Sequence, residues 1–238
     1  MKSEATPVTD NPPGSGNRSR NNANSQKPYH KFMTFRVLRF LSRMTGLTMF
    51  HMRCFGREKV DEDQGMLICA NHQSFLDPVL VGLALEQPIN YLARRSLFDS
   101  LLLGPIIRYL DAIPINRDGM GLEGLKESMK RLRRGEKVLM FPEGTRTKDG
   151  DIQQIRPGFC AVARRVRVPL LPVGFDGAFD AWPRNSLLPR SSPIHIVIGD
   201  PLDPSEMAEL SDDELIAELQ SRLEVCFQKA RAGRDRAM

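Results

Sequence analysis

The chain has 238 residues, 41% of them hydrophobic and 26% charged. That is ordinary globular usage, which excludes global disorder and a polytopic membrane protein, and a chain this long buries enough surface to need no disulfide or metal support. Lys+Arg 34 against Asp+Glu 29 leaves a net charge of +5, and where the excess sits matters more than its size.

Residues 1–30 are rich in Asn, Ser, Pro and Gly, hold almost nothing to bury, and read as a disordered tail. They lack the apolar core of a secretory signal. From Lys31 the texture changes: Lys31, Arg36, Arg39, Arg43, Arg53, Arg57 and Lys59 face only Glu58. Arg36, Arg39 and Arg43 stand at i, i+3 and i+7, one helical stripe, with Met33, Val37, Phe40, Leu41 and Met44 opposite. Three arginines forbid a spanning helix, and no run of about 18 apolar residues occurs elsewhere. Segment 31–50 therefore reads in one of two ways. It is an amphipathic helix lying in the interface of an anionic membrane, or a helix packed on the domain's own core with its arginines in water.

Beyond it the pattern alternates. Strands are expected at Met66–Ala70, Ile89–Ala93, Ile113–Asn116, Val138–Phe141, Pro169–Phe175 and Ile194–Ile198. Between them lie an apolar helix Val79–Leu85 opened by Pro78, an apolar stretch Leu101–Leu110 broken at Gly104–Pro105, a basic helix Leu122–Arg134 stopped by Gly135, and a helix Gly158–Val166. A single acidic helix from Pro204 to about Lys229 closes the chain. Alternation of this kind predicts an α/β fold, a mostly parallel sheet with helices on both faces, as one domain over 51–238.

Four cysteines (Cys54, Cys69, Cys160, Cys226) and four histidines (His30, His51, His72, His195) are scattered singly. No metal-ligand spacing emerges, and a reducing compartment is expected. Chemistry concentrates instead at strand ends, where open α/β folds place their sites. Strand Met66–Ala70 runs into Asn71-His72-Gln73-Ser74-Phe75-Leu76-Asp77-Pro78. Asp77 or Ser74 suits a helix cap, and His72 alone reads as an ordinary loop histidine. The two can pair only if His72 lies on the loop before the helix, because five helical positions separate side chains by about 140°. Strand Val138–Phe141 runs into Phe141-Pro142-Glu143-Gly144-Thr145-Arg146, where Gly144 and Thr145 suit a tight turn and Arg146 offers a fork for an oxyanion. Ile113-Pro114-Ile115-Asn116-Arg117 puts a further arginine past a strand end.

These blocks resemble those of the glycerolipid acyltransferases, the family of bacterial 1-acyl-glycerol-3-phosphate acyltransferase. Asn71–Asp77 matches the family's Asn-His-x-x-x-x-Asp block, Ile113–Arg117 its second, Phe141–Arg146 its Phe-Pro-Glu-Gly-Thr-Arg signature, and Val168–Val173 its fourth. The similarity runs over roughly residues 40–202. The chain departs from it at Ala93-Arg94-Arg95-Ser96-Leu97, where members often carry Ala-Lys-x-Glu-Leu, and at Arg156-Pro157-Gly158, where a lysine is usual.

The resemblance implies acyl transfer from a thioester to an alcohol, with His72 as base and Asp77 orienting it, supported by Asn71 and Ser74. It implies an acceptor phosphate and glycerol site at Arg117, Glu143, Gly144, Thr145 and Arg146. The expected acceptor is lysophosphatidate, with glycerol 3-phosphate or another lysolipid as the alternative. Acyl-CoA or acyl-carrier protein is the expected co-substrate, with no cofactor and no metal. The membrane reading of 31–50, carried by Arg36, Arg39, Arg43, Phe40 and Leu41, then gains weight, and with it a peripheral position on the cytoplasmic face. A non-catalytic lipid binder on the same fold and a nucleic-acid binder are the competing classes; no nucleic-acid motif accompanies the basic runs at 131–134 and 164–165.

Overall fold

A computed structural model describes residues 40–237 except 62, 86–88, 100–103, 105–106, 108–111, 116–121, 184–185 and 187. The expectations for the tail 1–30, for Arg36 and Arg39, for Arg117 and for most of Leu101–Leu110 lie outside the described residues.

The sheet starts from β2 (Leu67–Ala70), four consecutive buried apolar residues with no polar face, the pattern of a strand covered on both sides. It pairs in parallel with β5 (Val138–Met140) on one side and β6 (Leu170–Asp176) on the other. Outward from β5 come β3 (Asn90–Arg94) and β4 (Ile113–Ile115), both parallel. Outward from β6, β7 (His195–Ile198) runs antiparallel, and β1 (Arg53–Phe55) follows β7. The order is β1-β7-β6-β2-β5-β3-β4. The expected mostly parallel sheet is present, with two reversed strands at one edge. β1 escaped the sequence reading because a three-residue edge strand with exposed ends carries no periodic signal.

Helices cover both faces. Leu67 and Cys69 point into one core with Met129, Phe159 and Leu219; Ile68 and Ala70 point into the other with Leu80 and Val81. The described helices are α1 (40–48), α2 (Asp77–Leu85), α3 (Arg95–Phe98), α4 (Leu122–Leu132), α5 (Gly158–Val166), α6 (Ala178–Ala181), α7 (Pro204–Glu209) and α8 (Asp212–Asp235). The single acidic helix expected from Pro204 is thus two. Ser211 adopts an extended backbone and accepts the Glu214 N–H in a capping box, restarting the helix. α8 buries Leu215, Leu219, Leu223, Cys226, Phe227 and Ala230 along one stripe and packs on β6 and β7. It approaches so closely that a Cβ on Gly174 would lie 2.4 Å from the Phe227 nitrogen, so only glycine fits there.

Because the chain leaves β2 for β3 and later returns to place β5 and β6 on either side of it, three strand ends open next to one another. The crevice at such a switch point is where an α/β sheet can hold a ligand.

Candidate active site

Beyond Ala70 the main chain departs from the sheet, and Asn71 takes its place. Its side-chain Nδ2 donates to the Phe175 carbonyl and its Oδ1 accepts the Phe175 N–H, both at 2.9 Å. The amide therefore completes the ladder to β6 while residues 72–76 form a loop.

Asp77, fully buried, opens α2 and turns back over that loop. Its Oδ2 accepts His72 Nδ1 at 2.6 Å, the Gln73 N–H at 2.7 Å and the Ser74 N–H at 2.8 Å. Ser74 Oγ accepts the Leu76 N–H. His72 thus sits on the loop, the one arrangement in which a residue five positions before Asp77 can reach it. With Oδ2 an acceptor, the hydrogen-bond network assigns the ring proton to Nδ1 and leaves the Nε2 lone pair to take a proton. The ring lies 4.0 Å from Phe141, nearly parallel to it.

The histidine's main chain is held as well. Its N–H donates to Glu143 Oε1 at 2.8 Å, and its carbonyl accepts the Thr147 N–H at 2.8 Å. Glu143 Oε2 accepts the Gln153 N–H at 3.2 Å. The Glu143 carboxyl is pushed up to about 8, chiefly by burial and in part by neighbouring Asp77 and Asp149, against the two N–H donors that pull the other way. Glu143 therefore meets main-chain donors with both oxygens, one on the histidine loop and one at Gln153. Beside it Gly144 turns at φ +71°, a left-handed conformation that glycine takes without strain. Thr145 is exposed. The Arg146 guanidinium lies 3.5 Å over the Phe75 ring, so the loops after β2 and β5 meet in one site.

Sequence reasoning passed over Gln73. Its buried amide donates from Nε2 to the Gly150 carbonyl at 2.6 Å and accepts the Phe179 N–H at 3.2 Å. It ties the histidine loop to the segment after Arg146 and to α6, itself too short to be read from sequence. The available signal was a polar run following directly on an all-apolar strand. A mainly apolar cavity of about 320 Å³ adjoins the loop between α1 and α2, lined by Leu41, Gly46, Phe50, Leu76, Val79 and Leu83 among others. Among the described residues no group of three or more His, Cys, Asp or Glu side chains could hold a metal ion.

A family model described as Acyltransferase matches residues 51–176, from just before β1 to the end of β6. The chain is 27% identical over 173 residues to the 1-acyl-sn-glycerol-3-phosphate acyltransferase of Bacillus subtilis (strain 168), covering 72% of this chain and 84% of that protein. To the Pseudomonas aeruginosa protein of the same name it is 29% identical over 197 residues, 81% and 73% of the two chains. The crystal structure of the 1-acyl-sn-glycerophosphate (LPA) acyltransferase PlsC from Thermotoga maritima shares the fold, with a TM-score of 0.71 at 23% identity over 85% of this chain and 80% of that one.

Proposed function

The chain belongs to the acyltransferase family, and on that premise we propose that it acylates the free hydroxyl of 1-acyl-glycerol 3-phosphate, making phosphatidic acid for phospholipid synthesis. The observation that carries this reading is the His72–Asp77 pair, 2.6 Å apart at the end of β2. The relatives' names, 1-acyl-sn-glycerol-3-phosphate acyltransferases, support the acceptor.

A hydroxyl is a poor nucleophile at neutral pH, so a base must take its proton as it attacks. His72 Nε2 takes that proton while the hydroxyl oxygen bonds to the thioester carbonyl carbon. Collapse of the tetrahedral intermediate re-forms the carbonyl and breaks the carbon–sulfur bond, and the leaving sulfur recovers the proton from His72. Asp77 holds the ring and stabilises the imidazolium in between. Asn71 and Ser74 shape the loop. Arg146, held over the Phe75 ring, serves the acceptor phosphate, with Arg117, Gly144 and Thr145 completing that subsite. Glu143 serves it indirectly, by fixing the loop.

The co-substrate is acyl-CoA or acyl-carrier protein, and no further cofactor enters the reaction. The apolar cavity beside Leu76 suits an acyl chain. No helix among the described residues is long and apolar enough to cross a membrane. We infer peripheral attachment at the cytoplasmic face through segment 31–50 with Arg36, Arg39, Arg43, Phe40 and Leu41, whose basic stripe opposite an apolar face suits an anionic bilayer.

The test is an acyl-transfer assay of lysophosphatidate, glycerol 3-phosphate and monoacylglycerol against both thioester donors. Lysophosphatidate should be preferred, and His72→Ala should abolish transfer in a folded protein. Arg146→Ala should weaken use of lysophosphatidate by about 10–150-fold, the worth of a charge-assisted pair, and leave monoacylglycerol unaffected. A folded His72→Ala protein with wild-type turnover would sink the base assignment. Equal losses on both acceptors would remove Arg146 from the phosphate.

A further inference from the structure

Eight large apolar side chains are exposed among the described residues, and six of them lie on three segments that touch one another. Phe40, Leu41, Met44 and Leu47 are on α1, Phe75 is on the histidine loop, and Leu188, 76% exposed, follows α6. The contacts between these segments are direct. Leu41 and Leu76 line the same cavity. The Phe75 ring lies 5.9 Å from Trp182. Trp182 Nε1 donates to the Ser186 carbonyl at 3.0 Å, and Ser186 Oγ donates to the Leu188 carbonyl at 2.7 Å. Ser191 Oγ then donates to the Met49 carbonyl at 2.8 Å, which brings the chain back beside the end of α1. Scattered surface apolar residues need no explanation, but a clustered set does.

The charge on these segments has one sign. The described residues of 40–50, 74–76 and 182–191 include Arg43 and Arg190 and neither Asp nor Glu. Apolar tips with Arg43 and Arg190 beside them, and with the nearby Asp180 carboxylate neutralised by Arg234, match a surface with anionic headgroups above hydrocarbon. Trp182, half-buried with its indole N–H already satisfied, is the residue type that settles at such a boundary. Phe75 carries the Arg146 guanidinium on its ring face and stands three residues from His72, so the apolar set borders the approach to the site.

We propose that Phe75, Trp182 and Leu188 form a second membrane footprint beside α1, seating the mouth of the site itself on an anionic bilayer. The proposal rests on the lysolipid reading, in which the acceptor comes from that bilayer. Seated this way, Arg146 lies at headgroup depth, where the acceptor's phosphate is found, and the acceptor enters the site without crossing water.

Trp182 is the chain's single tryptophan, so its fluorescence reports this footprint and nothing else. The full-length protein is titrated with vesicles of phosphatidylcholine and phosphatidylglycerol, with and without bromine on the acyl chains. Trp182 emission should move to the blue and be quenched by the brominated lipid. Leu188→Asp, checked for an unchanged melting temperature, should bind the vesicles about tenfold more weakly. Protein that pellets with vesicles while Trp182 emission stays unmoved and unquenched would overturn the proposal and leave binding to α1 alone. So would unaltered binding by Leu188→Asp. Emission that shifts with protein concentration in lipid-free buffer would assign the face to a second copy of the chain and equally overturn it. The acyl-transfer assay is read separately: quenched Trp182 without transfer to lysophosphatidate refutes the functional reading and leaves the footprint standing, whereas transfer with unquenched Trp182 does the reverse.

Discussion

Replacing Asp77 by Asn removes a charge from the site while keeping its shape, and the structure sets how much should be lost. Asp77 Oδ2 accepts three donors, the His72 ring and the Gln73 and Ser74 N–H groups, whereas Oδ1 is buried with no hydrogen-bond partner among the described residues. An asparagine has two ways to sit. With its oxygen in the Oδ2 position all three donors stay satisfied, at the cost of a buried amide N–H₂ that meets no acceptor among the described residues, but no main-chain donor is turned against another donor. With its nitrogen there, two buried main-chain donors lose their acceptor, at about 1–3 kcal/mol each, and His72 is driven to the tautomer that cannot act as base. The first orientation therefore wins, and what disappears is the charge assistance to the imidazolium. That is worth about 1.5–3 kcal/mol, or roughly 10–150-fold in rate. It falls short of the ~10⁴-fold loss that follows a tautomer switch in the serine proteases. Initial rates with saturating thioester, on protein whose circular dichroism matches the wild type, give the answer. A loss of ~10⁴-fold would mean that the two main-chain donors do not dictate the orientation. A change of less than about threefold would detach Asp77 from the proton transfer.

Gln73→Met should leave the Gly150 carbonyl and the Phe179 N–H unpaired and let the histidine loop drift, lowering kcat by about 10²-fold at unchanged KM for the acceptor; a parallel rise in KM would show general damage instead. The Glu143 carboxyl, raised from 4.5 to about 8, holds its proton more tightly folded than unfolded, so stability should fall as pH rises from about 4.5 to about 8 and level off above. Thermal melts across that range should show the slope in the wild type and its absence in Glu143→Gln, and a slope that survives the substitution would assign it elsewhere. His195, on β7, is buried with neither ring nitrogen hydrogen-bonded among the described residues; burial first, then Arg53 and Arg234, pull its pKa below 6.5 against the opposing Asp176. The unfolded chain then binds the extra proton first, so stability should drop as pH falls below about 6.5, and His195→Leu should flatten that drop in denaturant titrations at pH 7 and pH 5.

What could be read without the structure follows the range of the interactions. β2 and the central part of β6 are unbroken apolar runs, and such runs announce themselves. The His72–Asp77 spacing was readable because both residues lie within one loop, where helix geometry alone states the condition for their meeting. Gln73 was not readable: its partners lie 77 and 106 positions away, and no local pattern encodes contacts of that span. The main-chain partners of Glu143 were hidden in the same way, one of them 71 positions away. A glutamate before a turn glycine and an arginine invites a ligand or ion-pair role, whereas its acceptor oxygens meet main-chain donors at 72 and 153. The break between α7 and α8 was local and was still passed over. The acidic periodicity runs through Leu210–Ser211 unchanged, and only the capping geometry of Ser211 marks the restart.

Asn71 gives the Phe175 amide proton an unusual status. Throughout most of a sheet a main-chain amide is protected by another strand, and its solvent exchange reports the unzipping of that strand. The Phe175 amide is protected by a side chain that belongs to the histidine loop. It lies in a fully buried strand, yet its exchange clock is set by whether residue 71 stays in place. One deuterium label in the middle of the core thus keeps time for the histidine loop.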